Sequence, residues 1–307
     1  MNARFLETQK NLFQLFAEKK YQEALHLVQQ AEDDFPSRIE KTYFWKACVY
    51  ARLREFNKAV DCLNAGLEEG IWWNPHTLKN DPDFKEILNM EEFQRILDLC
   101  IERVEENNKS TIPKLQSYGN LNAEVGIFSI HWRGSSVEDY ASYWLDEEML
   151  KEYYFAFPQS SQVHSYNAYC WDNSEVATHE LSQWMKDLKK KNPKRTWIVA
   201  GASQGGKIAI ERSLLGLDYG SDFIAAIPAI SEVDSFRQII RSHNVSGLKG
   251  VIITGDQDYF FDKTKELSEL LNESGVSCRL IVRKGLGHFF PEDFTRLVKE
   301  SVVFIKK

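Results

Sequence analysis

A mostly parallel α/β domain preceded by an all-α array of helical hairpins is the fold class this sequence predicts, and three observations carry it. Residues 1 to about 107 hold no strand pattern and read as successive amphipathic helices. From about residue 124 short β-rich runs alternate with helical stretches, as they do where helices cover both faces of a parallel sheet. Within that second part Thr196-Trp197-Ile198-Val199-Ala200 reads as a strand, Gly201-Ala202-Ser203-Gln204-Gly205-Gly206 follows at once, and Lys207-Ile208-Ala209-Ile210-Glu211-Arg212 reads as a helix. The change of class sets the expected domains at residues 1–108 and 109–307, with the polar stretch 105–114 as linker.

The helical part repeats. Aligning Ala24 with Ala59 gives a period of 59 − 24 = 35 residues and also pairs Tyr21 with Phe56, Val28 with Leu63 and Leu15 with Tyr50. In each unit an aromatic residue stands three before the alanine, so a large and a small side chain share one helix face and a neighbouring helix can approach at the alanine. With Pro36 closing the first unit, these steps resemble the tetratricopeptide repeat; Leu12 departs from it, standing where the second unit has the small Ala47. Two further helices, at 81–88 and 91–97, are expected to close the array.

In the second part strands are expected at 126–131, 153–157, 196–200, 223–228, 250–254 and 277–282. Helices are expected at 174–190, 206–215, 233–243, 263–274 and 291–306. A sheet of this kind gathers functional groups beyond the carboxyl ends of its strands.

Composition narrows the function. With 307 residues, 43% hydrophobic and 27% charged, the chain has the balance of a soluble globular protein of one large or two ordinary domains. A net charge of −7 spread over both halves argues against nucleic acid or an anionic membrane as partner, and the one basic run, 186–195, reads as a solvated helix end. No apolar run approaches a membrane span and the amino terminus is charged where a secretory signal is apolar, so the expected location is cytoplasmic. Five cysteines without CxxC spacing, scattered histidines and no phosphate-loop glycine order lead us to expect neither disulfides, metal nor cofactor.

The segment around Ser203 has the form of a nucleophile elbow, in which small flanking residues let a strand turn sharply into a helix and expose the serine hydroxyl. A serine hydroxyl is a weak nucleophile at neutral pH. It needs a histidine to take its proton and an acid to orient that histidine. Downstream, the strand at 250–254 ends in a turn that offers Asp256 and Asp258. His288 is the one histidine that follows, in a glycine-loosened loop after the strand at 277–282. Serine, acid and histidine each fall just past the carboxyl end of a strand, on one edge of the sheet.

In this order and setting, residues from about 112 to 307 resemble the α/β-hydrolases, closest to their carboxylesterase and phospholipase-like branch. The resemblance implies an acid three residues after the turn glycine Gly255, which selects Asp258 and leaves Asp256 a turn residue. Gly287 and Pro291 match the family's histidine loop. It further implies an oxyanion hole built from the backbone N–H of Gln204 and an amide of the loop Ile130-His131-Trp132-Arg133-Gly134. Tryptophan stands where the family has glycine, so Trp132 and Arg133 are both candidate donors, Arg133 the preferred one, and the Trp132 indole is a candidate pocket wall. His131 precedes the serine and reads as a loop-shaping residue.

The stretch 158–172 is polar with interleaved aromatics. Gln159, Tyr166, Tyr169 and Trp171 are its candidate substrate contacts, equally suited to packing the loop onto the sheet. Cys170 lacks the setting of a cysteine nucleophile.

The expected function is a serine hydrolase that cleaves small-molecule carboxylic esters or thioesters through Ser203, His288, Asp258 and an acyl-enzyme. Two alternatives stand beside it: a hydrolase-fold scaffold whose helical repeats bind a protein partner or a second copy of the chain, and a peptidase of the same fold.

Overall fold

The computed structural model describes residues 2–217 and 221–307. It divides into two compact units, Met1–Ser110 with Val163–Tyr166, and Thr111–Gln162 with Asn167–Lys307.

The first unit opens with two helical hairpins, α1 (Asn2–Ala17) with α2 (Tyr21–Asp34) and α3 (Ile39–Arg52) with α4 (Phe56–Glu68). Phe5, Leu12, Val28, Phe35, Trp45 and Val49 belong to one buried cluster. Ala24 and Ala59 are fully buried, as small residues must be where helix backbones approach. The two hairpin turns repeat with the sequence. Lys19 and Arg54, 54 − 19 = 35 residues apart, take left-handed backbone with φ 59° and 62°. The amide after each reaches back five residues, Lys20 to the Leu15 carbonyl and Glu55 to the Tyr50 carbonyl, both at 2.9 Å, which closes the helix end.

The rest of this unit holds the expected helix at 91–97 but otherwise differs from expectation. No helix forms over 81–88; α5 (Pro75–Asn80) precedes it and only a 3₁₀ turn, Pro82–Phe84, follows. The Asp81 carboxylate accepts the Asp83 amide at 2.9 Å, a local turn that outcompetes a helix of about two turns. Nor is 105–114 all linker, because α6 (Glu91–Ser110) runs through its first half. Gly66 on α4 leaves room for the Trp73 indole, which would lie 2.4 Å from a Cβ there and which donates to the Glu40 carbonyl at 2.9 Å. The segment Val163–Tyr166 is held by the Tyr166 amide donating to the Trp72 carbonyl (3.1 Å) and the Val163 amide donating to Asn108 Oδ1 (2.8 Å).

The second unit is built on β1 (Lys114–Gly119), β2 (Val125–Ile130), β3 (Tyr154–Gln159), the short β5 (Ala168–Tyr169), β6 (Thr196–Ala202), β7 (Phe223–Ala226), β8 (Lys249–Gly255) and β9 (Ser277–Arg283), while the short β4 (Val163–Ser165) belongs to the first unit. The seven long strands form one sheet in the order β1-β3-β2-β6-β7-β8-β9, with β1 antiparallel to β3 and the other neighbours parallel. β1 was not expected. It is a half-exposed edge strand, and its polar Lys114, Gln116 and Ser117 leave no apolar run.

Helices α7 (Val137–Ala141), α8 (Glu147–Glu152), α9 (Ser174–Lys191), α10 (Gln204–Leu214), α11 (Asp234–Ser242), α12 (Phe261–Glu273) and α13 (Phe294–Lys306) cover the sheet. Ile198, Ala200 and Ala202 of β6 pack into one cluster with Tyr140, Met149, Leu297 and Val302. Their neighbours Trp197 and Val199 pack into another with Leu181 and Met185 of α9. β6 is therefore apolar at successive positions, because both its faces are buried. The unexpected α7 and α8 are too short for a helical period to show; Ser136 and Asp146 cap them by accepting the amides of Asp139 and Met149. No described helix is long and apolar enough to cross a membrane.

Gly250 of β8 pairs with Phe223 of β7, and a Cβ there would fall 2.0 Å from the phenyl ring. Gly250→Ala is expected to lower stability in urea unfolding by about 1–3 kcal/mol. Adding Phe223→Leu should recover part of that loss, whereas strict additivity of the two single losses would mean that the ring is not what the new methyl meets.

Candidate active site

β6 ends at Ala202 and α10 begins at Gln204, so a single residue makes the turn. That residue, Ser203, has φ 51° and ψ −116°. Serine seldom adopts such a backbone, at a cost of about 1–3 kcal/mol that the surroundings must hold in place. They do so with hydrogen bonds: the Ser203 amide donates to the Ala226 carbonyl, and its carbonyl accepts the amides of Lys207 and Ala229, all at 3.0 Å. Glycine is required on either side. A Cβ on Gly201 would lie 2.2 Å from the Gly205 carbonyl oxygen, and one on Gly205 would lie 2.0 Å from that of Ile130.

β8 and β9 are in register up to the pair Gly255 and Arg283, so the turns after them leave the sheet together. Gly255 lets them cross, since a Cβ there would lie 1.9 Å from the Leu286 carbonyl oxygen. Asp256 ties the two turns, its Oδ1 accepting the Gly285 amide at 2.7 Å. Asp258 is buried, with Oδ1 accepting the Phe260 amide and Oδ2 accepting His288 Nδ1–H, both at 2.9 Å. With its Nδ1 proton given to a carboxylate, the imidazole presents Nε2 as an acceptor, and the Ser203 hydroxyl donates to it at 2.9 Å. The structure thus joins Ser203, His288 and Asp258 in one hydrogen-bonded line.

The loop after β2 lies against the start of α10. As the first residue of that helix, Gln204 has a backbone N–H with no carbonyl of its own helix to meet. The Gly134 amide donates to the Tyr169 carbonyl at 2.8 Å, which leaves Trp132 and Arg133 as the loop's candidate donors. One carboxylate holds the two sides together. Asp172 accepts from Arg133 on Oδ2 (2.7 and 3.1 Å) and from the Gln204 carboxamide on Oδ1 (2.8 Å), while the Trp171 amide donates to Gln204 Oε1 at 3.0 Å. Burial works against ionisation of Asp172, but the hydrogen bonds from Arg133 and Gln204 outweigh it and hold the carboxyl below its ordinary range.

Trp132 is half-buried in an aromatic cluster, with ring centroids 5.3 Å from Tyr140, 5.5 Å from Tyr143 and 5.9 Å from Phe290. Phe290 stands two residues after His288, so the indole fastens the loop after β2 to the histidine loop. Gln159 is buried, its Oε1 accepting the Val137 amide at 3.2 Å and its side chain bonding to Tyr169. Trp171 is buried, and its indole N–H donates to the His131 carbonyl at 3.2 Å. Tyr166 belongs with the helical unit. A groove of about 290 Å³ lined by Trp171, Gln204, Lys207 and Glu211 opens beside α10, but neither Ser203 nor His288 lines it.

Burial pushes the Cys170 thiol up to about 12, which keeps it protonated and unreactive. Cys48, Asp81 and Asp83 of the helical unit bring three potential metal ligands within 4.8 Å of one another. Burial raises the Cys48 thiol and Asp83 is already paired with Arg52, so the group suits a cation poorly. Two features escaped the sequence reading. Asp172 acts on partners 39 and 32 residues away, beyond any local pattern. Tyr259 and Phe260, whose rings lie 4.8 and 5.4 Å from the His288 ring, had a signal: two aromatics in a turn directly after the acid.

Residues 4–108 match the family model described as A/B hydrolase-like, N-terminal domain. No curated protein matches the chain in sequence. Over its whole length the chain is similar to the crystal structure of an uncharacterized protein from Bacillus cereus ATCC 10987, at 24% identity, 98% coverage of each chain and a TM-score of 0.53. It is also similar to esterase PE8, at 18% identity over 64% of this chain and 99% of that one, with a TM-score of 0.52. These likenesses, with the sheet order above, show the α/β-hydrolase fold.

His131 is buried, its Nδ1 bonded to the Trp132 carbonyl at 2.8 Å, and burial lowers its pKa to about 4 despite that bond. The unfolded imidazole titrates near 6.5, so between those values the unfolded chain holds the extra proton. The neutral ring's contribution is then full above pH 6.5 and is lost as pH falls toward 4, about 3 kcal/mol in all. His131→Phe, whatever its overall stability, should flatten the decline of the urea midpoint between pH 7 and 4.5; a slope equal to that of the parent would refute the assignment.

Proposed function

We propose that the chain is a serine hydrolase of carboxylic esters or thioesters. The observation that carries this reading is the line Ser203 Oγ–His288 Nε2–His288 Nδ1–Asp258 Oδ2, with 2.9 Å at both hydrogen bonds, mounted on a strained one-residue turn. His288 takes the hydroxyl proton as Ser203 Oγ bonds to the acyl carbon, and Asp258 holds the tautomer and stabilises the imidazolium. The carbonyl oxygen becomes an oxyanion facing the Gln204 amide and an amide of the Trp132–Arg133 pair. As the tetrahedral species collapses, imidazolium gives its proton to the leaving oxygen or sulfur. Water then enters by the same route, giving its proton to His288 and its oxygen to the acyl carbon; as the second tetrahedral species collapses the bond to Ser203 Oγ breaks, the imidazolium returns the proton to that oxygen, and free acid leaves. The fold shared with an esterase supports this chemistry without choosing a substrate.

Asp172 is a positioning residue in this scheme, because it ties Gln204 to Arg133 without facing the reacting atoms.

Ser203→Ala should reduce turnover by about 10⁶-fold if chemistry limits the rate, measured on a p-nitrophenyl ester series with thioesters and aminoacyl amides alongside. A fluorophosphonate should label Ser203 in the parent and not in His288→Ala. An unchanged rate in Ser203→Ala would sink the proposal, and preferential amide cleavage by the parent would assign the site to a peptidase.

Asp172→Ala should lower kcat about tenfold with KM little changed, the loss of transition-state contacts only. An effect confined to thermal stability would make the clamp merely structural.

A further inference from the structure

Tyr259 stands between the buried Asp258 and the start of α12, yet its own side chain is 75% exposed. Its ring centroid lies 4.8 Å from that of His288 at 36° and 4.5 Å from that of Phe260 at 52°. Phe260 lies beside it, 5.4 Å from the imidazole at 67°. Two adjacent aromatic rings therefore line one side of the histidine. One is half-buried, while the other leaves most of its surface open to water, where a bound apolar group would gain by covering it.

The chemistry says what would cover it. When an acyl-enzyme forms, His288 Nε2–H gives its proton to the leaving oxygen or sulfur as that atom's bond to the acyl carbon breaks and the carbonyl double bond re-forms. The leaving atom must then lie within hydrogen-bond reach of Nε2, about 3 Å. Whatever substituent it carries has to pass over the accessible surface beside the imidazole, where Tyr259 stands. The acyl chain extends from the carbon on Ser203 and has no such obligation. An aromatic face rewards a stacked aromatic group beyond simple area burial and an extended apolar group through the area it covers.

We propose that Tyr259, backed by Phe260, is a specificity-determining platform for the leaving group, and that it favours aromatic or extended apolar alcohols and thiols. The proposal rests on the serine-hydrolase reading. It assigns selectivity to the alcohol side of the substrate, and it confines the effect to acylation, because the leaving group has departed before water enters.

The test uses the full chain and two esters of one acid, benzyl and methyl, whose alcohols are of similar acidity and differ in what they offer the platform. The ratio of kcat/KM for benzyl over methyl should fall about tenfold in Tyr259→Ala and stay near the parent value in Tyr259→Phe, since the ring and not the hydroxyl is invoked. Deacylation of the common acyl-enzyme should proceed at one rate in all three proteins. Fluorophosphonate labelling of Ser203 is read in parallel. A labelled, active Tyr259→Ala with an unchanged ratio would overturn the platform and leave the hydrolase reading standing. A variant whose selectivity shifts with acyl-chain length instead of leaving group would overturn it too. A parent enzyme that neither labels nor hydrolyses either ester would fail the hydrolase reading itself, and the platform with it.

Discussion

Everything at the site follows from the strand β6 becoming the helix α10 within one residue. So abrupt a turn forces Ser203 into a backbone conformation that serine avoids, and it brings the first turn of α10 against the end of β2. Gly201 and Gly205 are required by that closeness, because each would otherwise drive a methyl group into a carbonyl oxygen about 2 Å away. The same approach sets the first amide of α10 beside the loop after β2. The strain is tolerable because three backbone hydrogen bonds, two of them to the end of β7 and the turn that follows it, hold the serine from both sides.

The loops that complete the site are fastened by two different kinds of force. Between Arg133 and Gln204 the tie is polar, a single carboxylate on Asp172 accepting from both and kept ionised by them. Between the loop after β2 and the histidine loop it is apolar, the Trp132 indole packed on Tyr143 and Phe290. The polar tie is directional and the aromatic one is not, so the two together fix the loops against the start of α10 and against each other. The tryptophan that departs from the family's glycine thus has a physical task, in packing.

Much of this was legible in the chain, for identifiable reasons. Five of the six expected strands were apolar at successive positions because they are buried on both faces, which is what a run of residues can show. Ser203, Asp258 and His288 each follow a strand directly, so reading the strands located the residues. Other features were not legible. β1 is a half-exposed edge, the segment 81–88 is governed by one side chain bonding its own backbone, and α7 and α8 are shorter than a helical period can register. Gln159 and Trp171 had two open readings, substrate contact or packing, and burial with satisfied hydrogen bonds places them in the packing.

Local patterning in the sequence determined the class of fold, the 35-residue helical period and the candidate serine, histidine and pair of aspartates, because each shows in short runs of residues. Tertiary structure decided which of two neighbouring aspartates faces the imidazole. The register of β8 with β9 turns Asp256 toward the Gly285 amide and Asp258 toward His288. It also decided that Asp172 would join Arg133 to Gln204, and that Tyr259 would stand exposed beside the histidine. These relations join residues on different strands and loops, and only the packing of the whole sheet brings them within a few ångströms.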